Sequence, residues 1–171
     1  NEYESSAYAY GLNAGSSISM SSFSGMTISA SSYLYADAAG LRSSGFDADN
    51  SGLWIGSMSG SSTVTATASA STGNAEAVGI WSQDVELDVD KARLTVQATG
   101  GKDVGGSGYA TGIYSTYLEL YGTLSSLSVD ASGFYAVSYG LQAGYDIWVK
   151  ELGSVKVSSK SQNWSEAYGV S

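Results

Sequence analysis

The sequence contains no cysteine, no proline and no histidine, and only seven of its 171 residues are Lys or Arg. Without cysteine there is no disulfide framework and no thiolate metal site. Without histidine the usual imidazole base and the commonest metal ligand are missing. The lack of proline suits long unbroken β-ladders, because proline removes a ladder donor. Set against 16 carboxylates, the few cations leave a formal charge of −9. The electrostatic term that dominates binding to nucleic acid or to an anionic membrane would here be repulsive, so neither is an expected partner. No apolar run approaches the roughly 18 residues of a transmembrane helix, and no signal-peptide pattern opens the chain.

What the sequence does contain is one phrase written six times: a small residue, any residue, glycine, then a branched aliphatic. It reads Ala9-Tyr10-Gly11-Leu12, Ala38-Ala39-Gly40-Leu41, Ala77-Val78-Gly79-Ile80, Ala110-Thr111-Gly112-Ile113, Ser138-Tyr139-Gly140-Leu141 and Ala167-Tyr168-Gly169-Val170. The glycines stand roughly 28 to 39 residues apart, a period that signals stacked repeats, each burying its apolar face only against the next. After each phrase come two alternating runs. The first pairs Ile18 with Met20, Leu53 with Ile55, Val85 with Leu87, Leu118 with Leu120, and Ile147 with Val149. The second covers 26–30, 64–68, 94–98, 127–131 and 155–158. Strict alternation means one face in and one face out, hence short half-buried strands.

Three short strands per repeat predict an all-β fold, a right-handed parallel β-helix (β-solenoid). It has about five coils plus a partial sixth, in a single domain over residues 1–171. The coils run approximately 7–33, 34–72, 73–107, 108–135, 136–164 and, incomplete, 165–171. An antiparallel sandwich also has short strands at regular spacing, but it does not predict that every third strand repeats one phrase. The glycine is expected at a corner where the backbone bends and packs closely on its neighbour, with the small residue before it pointing inward. Residues 42–52 are expected to leave the second coil as a loop, and 100–106 form a second glycine-rich loop. Both ends read as open, without a cap over their unpaired strand edges.

Several local patterns could carry chemistry. Asp84, Glu86, Asp88 and Asp90 alternate with Val85, Leu87 and Val89, which turns all four carboxylates outward. Aligning the coils by their apolar positions stacks Ser19, Trp54, Glu86, Glu119 and Trp148 in one outward column at a rung spacing of about 4.8 Å. Carboxylates about 5 Å apart are spaced as in retaining glycosidases, and indole faces stack on sugars, so Trp54, Glu86, Glu119 and Trp148 form a candidate glycan face. The plain alternative is a solvated acidic face. Asp47, Asp49 and Ser51, followed by Gly52, match the opening of a calcium loop, although Met58 stands where the closing bidentate Glu belongs. Tyr8, Tyr10, Tyr109, Tyr139 and Tyr168 flank the glycine phrase on its outer side, with Trp81 and Tyr114 just beyond it. Such a stripe suits a protein interface rather better than a sugar contact. A Thr27, Thr65, Thr95 column, continuing as Ser128, hints at a water-ordering face that Lys156 interrupts.

From Ala7 to Val170 the phrase and its two alternating strands resemble the right-handed β-helix repeats of bacterial autotransporter passenger domains and related surface adhesins, the pertactin-like group. The resemblance implies an extracellular structural or adhesive role, secreted or at the bacterial cell surface. The chain departs from that group in having no C-terminal translocator barrel and no Arg-Gly-Asp sequence. We expect a non-enzymatic protein that associates head to tail with copies of itself, or that binds a glycan or protein of a host or cell surface. The end strands carrying Ala7, Tyr8, Tyr10, Ala167, Tyr168 and Val170 are the candidate assembly edges. The alternative is a polysaccharide-binding or polysaccharide-active protein, since pectin-degrading enzymes also use this fold. The basic residues that such sites usually add are scattered here.

Overall fold

The computed structural model describes residues 5–43, 52–101 and 105–171. They form eight strands: β1 (Ser6–Ala14), β2 (Ile18–Met20), β3 (Phe23–Ser32), β4 (Tyr35–Ser43), β5 (Gly52–Ala70), β6 (Asn74–Trp81), β7 (Asp84–Thr99) and β8 (Ser107–Val170). No helix occurs among the described residues. Strands β1, β4, β6 and β8 follow one another on one ladder, and β2, β5, β7 and β8 on another, with β3 joining the second through β5. Each of these pairings is parallel, which excludes the antiparallel sandwich and makes the molecule a β-solenoid. At 64 residues β8 is far too long for one straight strand. It winds back on itself, so that Gly112 lies against the carbonyl of Gly140, and Gly140 against that of Gly169.

The register stacks like on like. Ala9 pairs with Ala38, Ala38 with Ala77, and Ala77 with Ala110. Ile18 pairs with Leu53, Leu53 with Val85, and Val85 with Leu118. On β3, β5, β7 and β8 the columns are Met26–Val64–Leu94–Leu127, Ile28–Ala66–Val96–Val129 and Ala30–Ala68–Ala98–Ala131. These inward columns are the core, a narrow one in which alanine fills the tight positions. Each pass buries its apolar face on the pass before it, so stability is a chain of neighbour contacts rather than one central cluster.

The repeated glycine stands where the backbone bends and packs closely on the neighbouring layer, as expected. It does so inside a continuous strand, and among the described residues the glycines with positive φ are others, Gly25, Gly105 and Gly122. What changes across it is parity. Ala36 and Ala38 are buried before Gly40, Leu41 and Ser43 after it, and the ladder register skips from Ala39 to Leu41. The strand therefore bends at the glycine, and the bend brings neighbouring backbones together. A Cβ on Gly40 would sit 2.5 Å from the Gly79 carbonyl, and one on Gly79 would sit 2.6 Å from that of Gly112. No side chain fits there.

A correction concerns residues 42–52. Arg42 and Ser43 belong to β4, with Ser43 buried, so the chain does not leave the solenoid at Arg42. In the glycine-rich segment, Gly100 and Gly101 pack inward and donate backbone hydrogen bonds to the carbonyls of Ser132 and Gly73.

Candidate functional site

The Trp and Glu column is present in register: Ser19 pairs with Trp54, Trp54 with Glu86, and Glu86 with Glu119. Trp54 is 39% exposed and Trp148 49%. Trp54, Glu86 and Glu119, with Asp84 and Tyr117, line a cavity of about 310 Å³. Trp148 does not line it. Its ring leans on Tyr121 instead, centroids 5.0 Å apart at 50°, while the Tyr121 hydroxyl donates to Glu119 Oε2. Three of the four expected residues thus share a depression, and the fourth belongs to an aromatic pair beside it. That hydrogen bond and the Glu119 charge raise the Tyr121 phenol, which stays protonated as a donor at neutral pH.

In the outward carboxylate row Glu86 and Asp88 are exposed, Asp84 lies on the same outer face but is only partly exposed, and the side chain of Asp90 is outside those described. Asp84 opens β7 and is half-buried, and its Oδ1 is enclosed without a hydrogen-bond partner among the described residues. Burial raises its pKa above the ordinary 3.8. A carboxyl whose folded pKa exceeds its unfolded one holds more protons when folded, so its contribution to stability falls as pH rises through that window. Replacing Asp84 with Asn removes the penalty. Melting temperatures of the variant and the parent should coincide below about pH 3.8 and diverge above it, with Asp84→Asn the more stable at neutral pH. Equal melting temperatures throughout would mean that Asp84 is solvated.

Asp47, Asp49 and Ser51 lie outside the described residues, and so does the expected calcium loop. Among the described residues no group of three or more His, Cys, Asp or Glu is placed to hold a metal ion. The candidate assembly positions sit on the two end layers. Ala7 and Tyr10 are half-buried, and Tyr8, Ala167, Tyr168 and Val170 are exposed. The rings of Tyr139 and Tyr168 stack 5.1 Å apart at 8°.

A larger depression lies on the outer side of the glycine phrase, where the outward column reads Tyr10, Ala39, Val78, Thr111 and Tyr139. Ala39 and Val78 are buried although they point outward, which shows that the bend at the glycine is concave to solvent. The result is a trough with small side chains for a floor. Asp37 and Glu76, adjacent in register, flank it before the glycine, while Arg42, Trp81 and Tyr114 flank it after the glycine. Two connected cavities of about 240 and 480 Å³ make up its length and share Glu76, Val78 and Trp81. The Arg42 guanidinium lies 5.3 Å from the Tyr10 ring and 5.1 Å from the Trp81 ring, a double cation–π contact. Tyr10 donates to Asp37 Oδ2 at 2.7 Å and Tyr35 to Glu76 Oε2 at 3.4 Å.

Burial, then the Glu76 and Asp37 charges, pushes the Tyr35 phenol up to about 12. Burial and the bond to Asp37 likewise raise Tyr10. Glu76 is itself raised, first by burial and then by the Asp37 charge, with Tyr35 and Arg42 acting against the shift. The tyrosines are thus fixed as donors at neutral pH. Sequence reasoning found the aromatic stripe but not the trough, because alternation does not reveal which way a strand bends. The available signal was the run of small residues, Ala39, Val78 and Thr111, between Tyr10 and Tyr139.

The fold defines the class: an all-β solenoid of parallel strands with outward columns of aromatic and acidic side chains. Comparison with protein-family models, with curated proteins and with solved structures finds no match. No helix among the described residues is long and apolar enough to cross a membrane.

Proposed function

We propose that this chain is a structural or adhesive β-solenoid that extends by end-to-end stacking of copies, outside the cell at a bacterial surface, without enzymatic activity. In this reading it is a right-handed helix of five coils with a single strand of a sixth. Right-handed connection is the rule for parallel strands joined within one sheet.

The observation that carries the reading is the like-on-like register of the layers, which the outermost described layers would continue with a further layer. Leu12 and Val170 occupy the same place in the phrase and are 39% and 55% exposed, whereas Leu41 and Leu141 are fully covered. A second copy stacked in register would lay Val170 on Leu12 and Tyr168 on Tyr10, continuing both columns. Such a contact is heterologous and does not close, so it gives a filament. Among the described residues β1 pairs only with β4, and in this reading a stacked copy would pair its other edge.

Gly169 provides the test. A Cβ there meets none of the described residues within 4 Å, whereas a Cβ on Gly140 would lie 2.3 Å from the Gly169 carbonyl. An alanine at 169 is therefore harmless to the isolated fold but places its methyl where the next layer's carbonyl must come. Light scattering and electron microscopy of the parent should show concentration-dependent fibres. Gly169→Ala should keep the parent's melting temperature and stay monomeric. A parent that is monodisperse and monomeric over a wide concentration range would overturn end-to-end stacking.

A second reading, polysaccharide binding at the Trp54, Glu86 and Glu119 cavity, is favoured by the shared depression those side chains line.

A further inference from the structure

We propose that the trough outside the glycine phrase binds an uncharged or N-acetylated glycan chain laid along the solenoid axis. This site is separate from the Trp54 column and independent of end-to-end stacking.

The first argument is shape and period. The trough follows the stacking direction across β4, β6 and successive passes of β8, so each rung offers the next part of one continuous groove. Rungs repeat at about 4.8 Å, close to the length of one pyranose ring in an extended chain. Trp81 and Tyr114 are adjacent in register, and their rings are nearly parallel, at 7° with centroids 6.3 Å apart. They stack on one another across neighbouring rungs, Arg42 lies over Trp81, and Tyr114, 40% exposed, is the more open ring of the pair. The apolar C–H face of a pyranose packs on such a ring.

The second argument is the polar inventory. A sugar ring edge carries hydroxyls that both donate and accept. Asp37 and Glu76 supply acceptors, and each of their tyrosine bonds uses one oxygen of a carboxylate that offers about four lone-pair sites. Arg42 supplies a fork of donors whose direction is set by the rings of Tyr10 and Trp81. The guanidinium is thus ordered before a ligand arrives, which reduces the entropy lost on binding.

The third argument is charge. The trough sets two carboxylates against one guanidinium, on a chain of formal charge −9, so uronate and sulfated chains would be repelled. An extended peptide added as a strand would need a free sheet edge, and the trough lies on a sheet face.

The test uses the full chain and an immobilised panel of glucose, mannose and N-acetylglucosamine oligomers. Uronate and sulfated oligomers and a proline-rich peptide complete the panel. Hits are titrated in solution by tryptophan fluorescence. At least one uncharged or N-acetylated oligomer should bind. Trp81→Ala and Tyr114→Ala should each weaken it at least tenfold and Glu76→Gln several-fold, all with unchanged circular dichroism. Trp54→Ala should leave the affinity alone. The proposal is overturned if no uncharged oligomer binds, if only polyanions or the peptide bind, or if a folded Tyr114→Ala or Trp81→Ala variant keeps full affinity. It is equally overturned if Trp54→Ala abolishes binding, since the site is then the other column.

Discussion

Replacing Gly79 with alanine is expected to destabilise the protein by about 3 kcal/mol, at the upper end of overpacking costs. The added methyl would lie 2.6 Å from the Gly112 carbonyl, 2.7 Å from Leu94 Cδ1 and 3.0 Å from Val96 Cγ2. Leu94 can give way by changing rotamer. The carbonyl cannot, because Gly112 is held between laddered neighbours on the next rung. Alanine also stiffens the unfolded chain, which favours folding by roughly 0.4–1 kcal/mol, too little to offset the clash. Urea titration should show a lower midpoint with an unchanged slope. A midpoint like the parent's would mean that the two layers have room for a methyl group at this position.

Leu118→Ala should cost about 3 kcal/mol, through lost burial and the cavity left behind. Leu118 is 1% exposed in a middle layer, stacked on Val85. Ile147 takes the corresponding position one repeat later and is only half-buried, with no further layer over it among the described residues. Ile147→Ala should therefore cost roughly half as much. The contrast is best measured in dilute protein. If the Ile147 cost grows to match Leu118 as concentration rises, the end layer is being covered by another copy.

The columns were legible because alternation is strict. Val85, Leu87, Leu118 and Leu120 point inward as their spacing requires, and Trp54, Glu86 and Glu119 follow as an outward column without further information. Three features were not legible, each because it depends on how strands curve toward one another. Asp84 reads as an outward carboxylate, yet at the start of β7 one of its oxygens is enclosed. Arg42 is followed by Ser, Ser and Gly, which look like a loop, but its side chain is held between Tyr10 and Trp81 as a strand residue. Ala39 and Val78 fall on the outer face by count and are buried by concavity. Alternation describes a flat strand, and it fails where the strand is bent.

The winding of each pass onto the one before it has a bearing on how such a chain can change over generations. Because the joins are local and nearly identical, an in-frame duplication or loss of one whole pass leaves every surviving layer with a suitable neighbour. Length is then a quantity that can drift while the architecture persists. Any groove running along the stack would lengthen or shorten with it, one subsite at a time.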